Sequence, residues 1–131
     1  MKLILSFDEI KEFSLRTLIV FSFLILFDLI WFKFTNKHYP INKELNYYSA
    51  LLSWLILSCA LSILIPSSYN EVVIYSLLVS FVIYGIYNLT NYSILKEWTV
   101  SISVMDIGWG MFNCFITSTI LYLLYWNNNN N

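Results

Sequence analysis

Asp28 and Asp106 are the residues whose chemistry stands out in this sequence, because each lies inside a long run of mostly apolar residues. A carboxylate at mid-bilayer depth costs about 2.5–3.5 kcal/mol on insertion scales, and less near a helix end, so it calls for a compensating partner or a function that needs it. Each is followed three residues later by tryptophan, in Asp28-Leu29-Ile30-Trp31 and Asp106-Ile107-Gly108-Trp109. On a helix that spacing is expected to stack each indole beside its own carboxylate. Asn88, Asn91 and Asn113 add amides that can donate and accept hydrogen bonds. Together these residues could hold a polar headgroup or fasten helices to one another. The sequence has no Ser-His-Asp set, HExxH motif or Gly-rich phosphate loop, so it assigns no catalytic residue, metal ligand or cofactor, and an enzyme is the disfavoured class.

The elements that position these residues follow from composition. The 131 residues are 59% hydrophobic and only 11% charged, with a mean hydropathy of +0.68, far from the roughly 25% charge of soluble domains. Seven Lys and Arg against eight Asp and Glu leave no basic excess for nucleic acid. Cys59 and Cys114 both lie in apolar runs and read as small packing residues. The apolar residues fall into four candidate spans, 14–34, 47–65, 72–91 and 102–126, separated by short segments rich in Pro, Asn, Ser and Lys. Lipid offers no partner to open backbone, so the spans must be helices, and short connections make sequence neighbours antiparallel. The expected fold is all-α: an integral membrane antiparallel four-helix bundle forming one domain over 1–126, with the asparagine run 127–131 as a disordered tail. Ahead of the first span, Leu3, Ile4, Phe7, Ile10 and Phe13 recur at helical spacing, and Ser6 with Glu9 has the form of a capping box. This stretch reads as an extension of the first span, or alternatively as an interfacial helix.

An even number of spans puts both termini on one side. The balance of Lys33, Lys37, Lys43 and Lys96 against Lys2, Lys11 and Arg16 leans the first and third loops towards the cytoplasm. In this topology Asp28, late in its span, and Asp106, early in its own, reach similar depth near one membrane face, where Asn88 and Asn91 end the third span. Ser103, Asp106, Gly110, Asn113 and Thr117 share one face of the fourth helix, and Ser76, Ser80, Tyr84, Asn88 and Asn91 one face of the third. The candidate polar site is therefore Asp28, Trp31, Asn88, Asn91, Asp106, Trp109 and Asn113, with Lys33, His38, Lys96 and Trp98 at its rim.

The segments Tyr84-Gly85-Ile86-Tyr87-Asn88-Leu89-Thr90-Asn91, Leu95-Lys96-Glu97-Trp98 and Met105-Asp106-Ile107-Gly108-Trp109-Gly110 resemble domain-of-unknown-function family 2177. Its four-span membrane proteins typically read Y-G-T-Y-D-L-T-N, then L-K-G-W-P, then D-x-A-W-G. Asp28-x-x-Trp31 and Tyr39 also fit the pattern. Where the family carries an acid in the first motif this chain has Asn88, and Glu97 and Thr99 replace the usual Gly and Pro. The resemblance implies a four-span membrane fold and no established activity.

Three functions stay open. One is a lipid-binding or lipid-modification accessory module with membrane lipid as its partner; another is a structural or assembly protein, either self-associating or bound to another membrane protein. The third is a small transporter subunit, for which no charged path crosses the far half of the bundle. For a structural bundle, Asp28→Asn is expected to be tolerated and Asp28→Leu to lower stability.

Overall fold

The structure, a computed structural model, describes residues 2–3, 7–40 and 46–129. Helix α1 (Phe7–Thr35) ends in a short 3-10 turn at Asn36–His38, and three further helices follow: α2 (Tyr47–Ser62), α3 (Tyr69–Ile94) and α4 (Val100–Asn129). Caps fix several of the ends. Asn46 accepts the backbone N–H of Ser49 at 3.1 Å, and Thr99 that of Ile102 at 3.2 Å. Ser68 accepts the N–H of Glu71, whose carboxylate reaches back to the N–H of Ser67.

Helices α1, α3 and α4 are long and apolar enough to cross a membrane. Helix α2 is shorter than expected. It stops at Ser62 instead of Ile65, because Leu64–Ile65 (β2) turns extended and pairs antiparallel with Lys2–Leu3 (β1). Its 16 residues rise about 24 Å, short of the roughly 30 Å of a hydrocarbon core. At the N-terminal end α1 is continuous from Phe7, so the extension reading holds there and the interfacial helix is not a separate element. Ile4 and the capping residue Ser6 lie outside the described residues. Helix α4 continues beyond Trp126 through Asn129, three residues into the expected tail, since each added residue of an existing helix closes one more backbone bond.

The bundle is apolar outside and in part polar inside. Leu18, Leu29, Ile74, Leu78, Ile86, Leu89, Val104 and Phe112 are exposed, whereas Ser58, Ser76, Ser80, Asn88, Asn113 and Thr117 are almost fully buried. That inversion suits a lipid solvent, in which small and hydroxyl-bearing residues bring helices together. Val20, Leu24, Leu57, Leu61, Cys114 and Leu121 form the apolar core between α1, α2 and α4. Among the described residues both cysteines are free thiols.

Helices α3 and α4 pack tightly at Gly110. A Cβ built there would collide with the ring of Tyr84, whereas Gly108 has open space around it. Gly110→Ala is therefore expected to lower the stability of the detergent-solubilised protein by about 1–3 kcal/mol, and Gly108→Ala to leave it unchanged or slightly raised. Thermal unfolding checks both, and equal behaviour of the two variants would show that Tyr84 yields freely.

Candidate functional site

Asp28 lies on α1 about two turns before its end and is buried, with partners on α2 and α4. Its Oδ1 accepts the indole N–H of Trp109 at 2.8 Å and the amide N–H of Asn113 at 2.9 Å. Its Oδ2 accepts the indole N–H of Trp54, from α2, at 2.7 Å. Asn113 is itself held by Thr117, whose hydroxyl donates to Asn113 Oδ1 at 3.2 Å. One carboxylate thus ties three helices, using donors with no acceptor of their own in lipid.

Asp106, on the second turn of α4, gathers the second half of the network. Its Oδ1 accepts the Tyr39 hydroxyl at 2.8 Å and its Oδ2 the Asn88 amide at 2.7 Å. Asn88 cannot be turned over. Its Oδ1 faces the indole N–H of Trp98 at 3.3 Å, which can only donate, so its Nδ2 points to Asp106 and to the Tyr84 carbonyl at 2.9 Å. An acid at position 88 could bond Asp106 only by carrying a proton; the amide supplies a neutral donor instead. Tyr39 receives the Trp31 indole N–H at 3.1 Å, leaving its own hydroxyl hydrogen for Asp106. Burial, reinforced by Asp106, pushes the Tyr39 phenol pKa up, so it stays a donor.

The two Asp-x-x-Trp motifs exchange tryptophans. Trp109 bonds Asp28, and Trp31 reaches Asp106 through Tyr39, so the expectation that each indole sits beside its own carboxylate is corrected. The reason is the antiparallel pairing of α1 and α4. It brings Trp31 and Trp109 to one level, where their rings stack at 4.4 Å and 4°, with the carboxylates on either side.

The structure therefore joins Asp28, Trp31, Asn88, Asp106, Trp109 and Asn113. Asn91 is half-buried beside Tyr87 and bonds neither carboxylate. At the rim Lys33, His38 and Lys96 are exposed, while Trp98 is buried and belongs to the network itself. Sequence reasoning placed neither Trp54 nor Tyr39 in the site. Trp54 had a usable signal: an indole N–H midway along an apolar helix needs an acceptor, and a carboxylate on a neighbouring helix is the strongest on offer. No group of three or more His, Cys, Asp or Glu able to hold a metal occurs among the described residues.

These contacts overturn the expectation that Asp28→Asn would be tolerated. All three partners of Asp28 are donors, and an amide would turn its NH2 towards at least one of them. Asp28→Asn is expected to cost about 1–3 kcal/mol of stability and Asp28→Leu more, since leucine leaves three donors unpaired. Thermal unfolding in detergent reads both, and wild-type stability for Asp28→Asn would refute this geometry.

No curated protein and no solved structure matches the chain. The family model described as "Predicted membrane protein (DUF2177)" matches residues 13–123. Agreement over that length, on a bundle whose helices suit a bilayer, shows that the chain is a membrane protein belonging to the DUF2177 family.

Proposed function

We propose that the carboxylate network is an internal lock and that the protein is a structural or assembly component of a membrane, presenting a rigid helical surface to lipid and to neighbouring membrane proteins. The observation that carries this reading is that both oxygens of Asp28 and both of Asp106 already accept hydrogen bonds from within the chain. A ligand at this site would have to displace an indole, an amide or a phenol, each of which would then lose a strong acceptor. Lys33, His38 and Lys96 stand at the surface and contribute no closed shell of charge around the carboxylates.

The test compares wild type with the Asp28→Asn, Asp106→Asn double variant by native mass spectrometry of protein purified in detergent. Trp54→Phe serves as a milder variant that keeps both carboxylates. The expected result is the same set of co-purifying molecules in all three, with thermal stability lowered in both variants. A discrete adduct present in wild type and Trp54→Phe but lost from the double variant would overturn the lock and make the site a ligand pocket.

A further inference from the structure

Two tight turns close the carboxylate end of the bundle, and each ends on an aromatic residue. In Asn36–Tyr39 the backbone N–H of Tyr39 donates to the carbonyl of Asn36 at 3.2 Å, and in Leu95–Trp98 that of Trp98 donates to the carbonyl of Leu95 at 3.1 Å. The corners of the first turn are Lys37 and His38, those of the second Lys96 and Glu97, and all four are exposed. The Tyr39 and Trp98 rings meet at 6.0 Å, so the turns lie side by side. Phe32 packs against Tyr39 at 5.7 Å, next in the chain to the exposed Lys33. Both turns are anchored from below, through the Tyr39 hydroxyl on Asp106 and the Trp98 indole on Asn88. Three exposed lysines are thereby gathered around one aromatic cluster, and Glu97 is the one acid in the two turns.

The opposite end of the bundle has the reverse charge. Asp8, Glu9, Glu12 and Glu71 stand there against Lys2, Lys11 and Arg16, and Arg16 is enclosed. Lys43 and Glu44, in the segment joining α1 to α2, cancel each other and leave the asymmetry as it is. The basic end also carries a collar of rings. Phe34 in the last turn of α1, Tyr47 and Tyr48 in the first turn of α2, and Tyr92 in the last turn of α3 are all at least half exposed. Such rings at helix ends sit at headgroup level, where a lysine stem can lie along apolar surface while its ammonium reaches the phosphates.

We propose that this face is a docking surface for anionic lipid headgroups, so that the protein gathers anionic lipid into the leaflet on the side of its first and third loops. A lysine close to an anionic membrane surface strengthens the attraction about fivefold, and three held around one cluster act on the same patch of headgroups. The collar of rings selects a lipid surface over an acidic soluble partner, because it belongs in the layer where acyl chains meet headgroups. The proposal goes beyond the lock and stands independently of it, since the turns are held by the same bonds whether or not a ligand reaches the carboxylates.

The experiment reconstitutes the full chain in vesicles of phosphatidylcholine with a minor share of phosphatidylglycerol, and excises it with its surrounding lipid in polymer discs. The ratio of the two lipids in the discs is compared with that in the bulk vesicle. Wild type is expected to hold phosphatidylglycerol several-fold above bulk, and added salt to shrink this excess by screening exposed charges. The triple variant Lys33→Gln, Lys37→Gln, Lys96→Gln should bring the ratio close to bulk at an unchanged melting temperature. Lys11→Gln, at the acidic end, should keep the wild-type excess. A wild-type ratio equal to bulk, an excess that survives in the triple variant, or the same loss in Lys11→Gln would overturn the proposal.

Discussion

A carboxylate inside an apolar bundle has to find its hydrogen-bond donors among the side chains around it, and in this protein that demand sets the positions of all four helices. Asp28 draws Trp54 from α2 and Trp109 with Asn113 from α4. Asp106 draws Asn88 from α3 and Tyr39 from the segment after α1. Hydrogen bonds to a charged acceptor contribute about 1.5–3 kcal/mol each in favourable cases. In lipid, where burial of apolar surface does not drive helices together, such bonds and close packing are the terms that remain. The small face of α4 complements them. Gly110 lets the Tyr84 ring lie against the helix, which brings α3 near enough for Asn88 to reach Asp106.

The donors suit their surroundings. An indole or a phenol joins an apolar body to a single polar atom, so Trp31, Trp54, Trp98, Trp109 and Tyr39 close the network and bring no further polar groups into the bundle. The bonds also constrain one another. Trp98 fixes the orientation of the Asn88 amide, and Trp31 fixes the direction of the Tyr39 hydroxyl. The stacked Trp31 and Trp109 rings join the two halves. A change at one position therefore affects donors that it does not touch, as expected for a buried polar network.

Much of this could be read in the sequence, and the parts that could not have identifiable causes. Composition and run length suffice for an all-α membrane bundle, since lipid admits few alternatives. The meeting of Asp28, Asp106 and Asn88 follows from topology alone, because alternating helix direction fixes which residues share a depth. Which donor meets which oxygen depends on the rotation and register of neighbouring helices, and no local spacing records that. Hence the motif Asp-x-x-Trp suggested a local pair where the structure has an exchanged one. The short α2 was hidden for a similar reason, because the hydropathy of Leu64 and Ile65 is the same in a strand as in a helix. Arg16 was read as a charge flanking the membrane, but with α1 beginning at Phe7 it stands more than two turns inside the helix.

The two ends of the bundle therefore differ in a way that the chemistry of their charged groups explains. A carboxylate accepts hydrogen bonds, and an apolar helix can surround it with tryptophan, tyrosine and asparagine at little cost in polarity. A guanidinium only donates, through five N–H bonds. Helices made of Leu, Ile and Phe offer it no side-chain acceptor, only backbone carbonyls that already carry one helix hydrogen bond. The nearest acids on α1 do not engage Nε or Nη2, and the hydroxyls of Thr17 and Ser62 are likewise enclosed without a partner. The saturated end is suited to holding the helices in place, whereas at the Arg16 end buried donors go without acceptors.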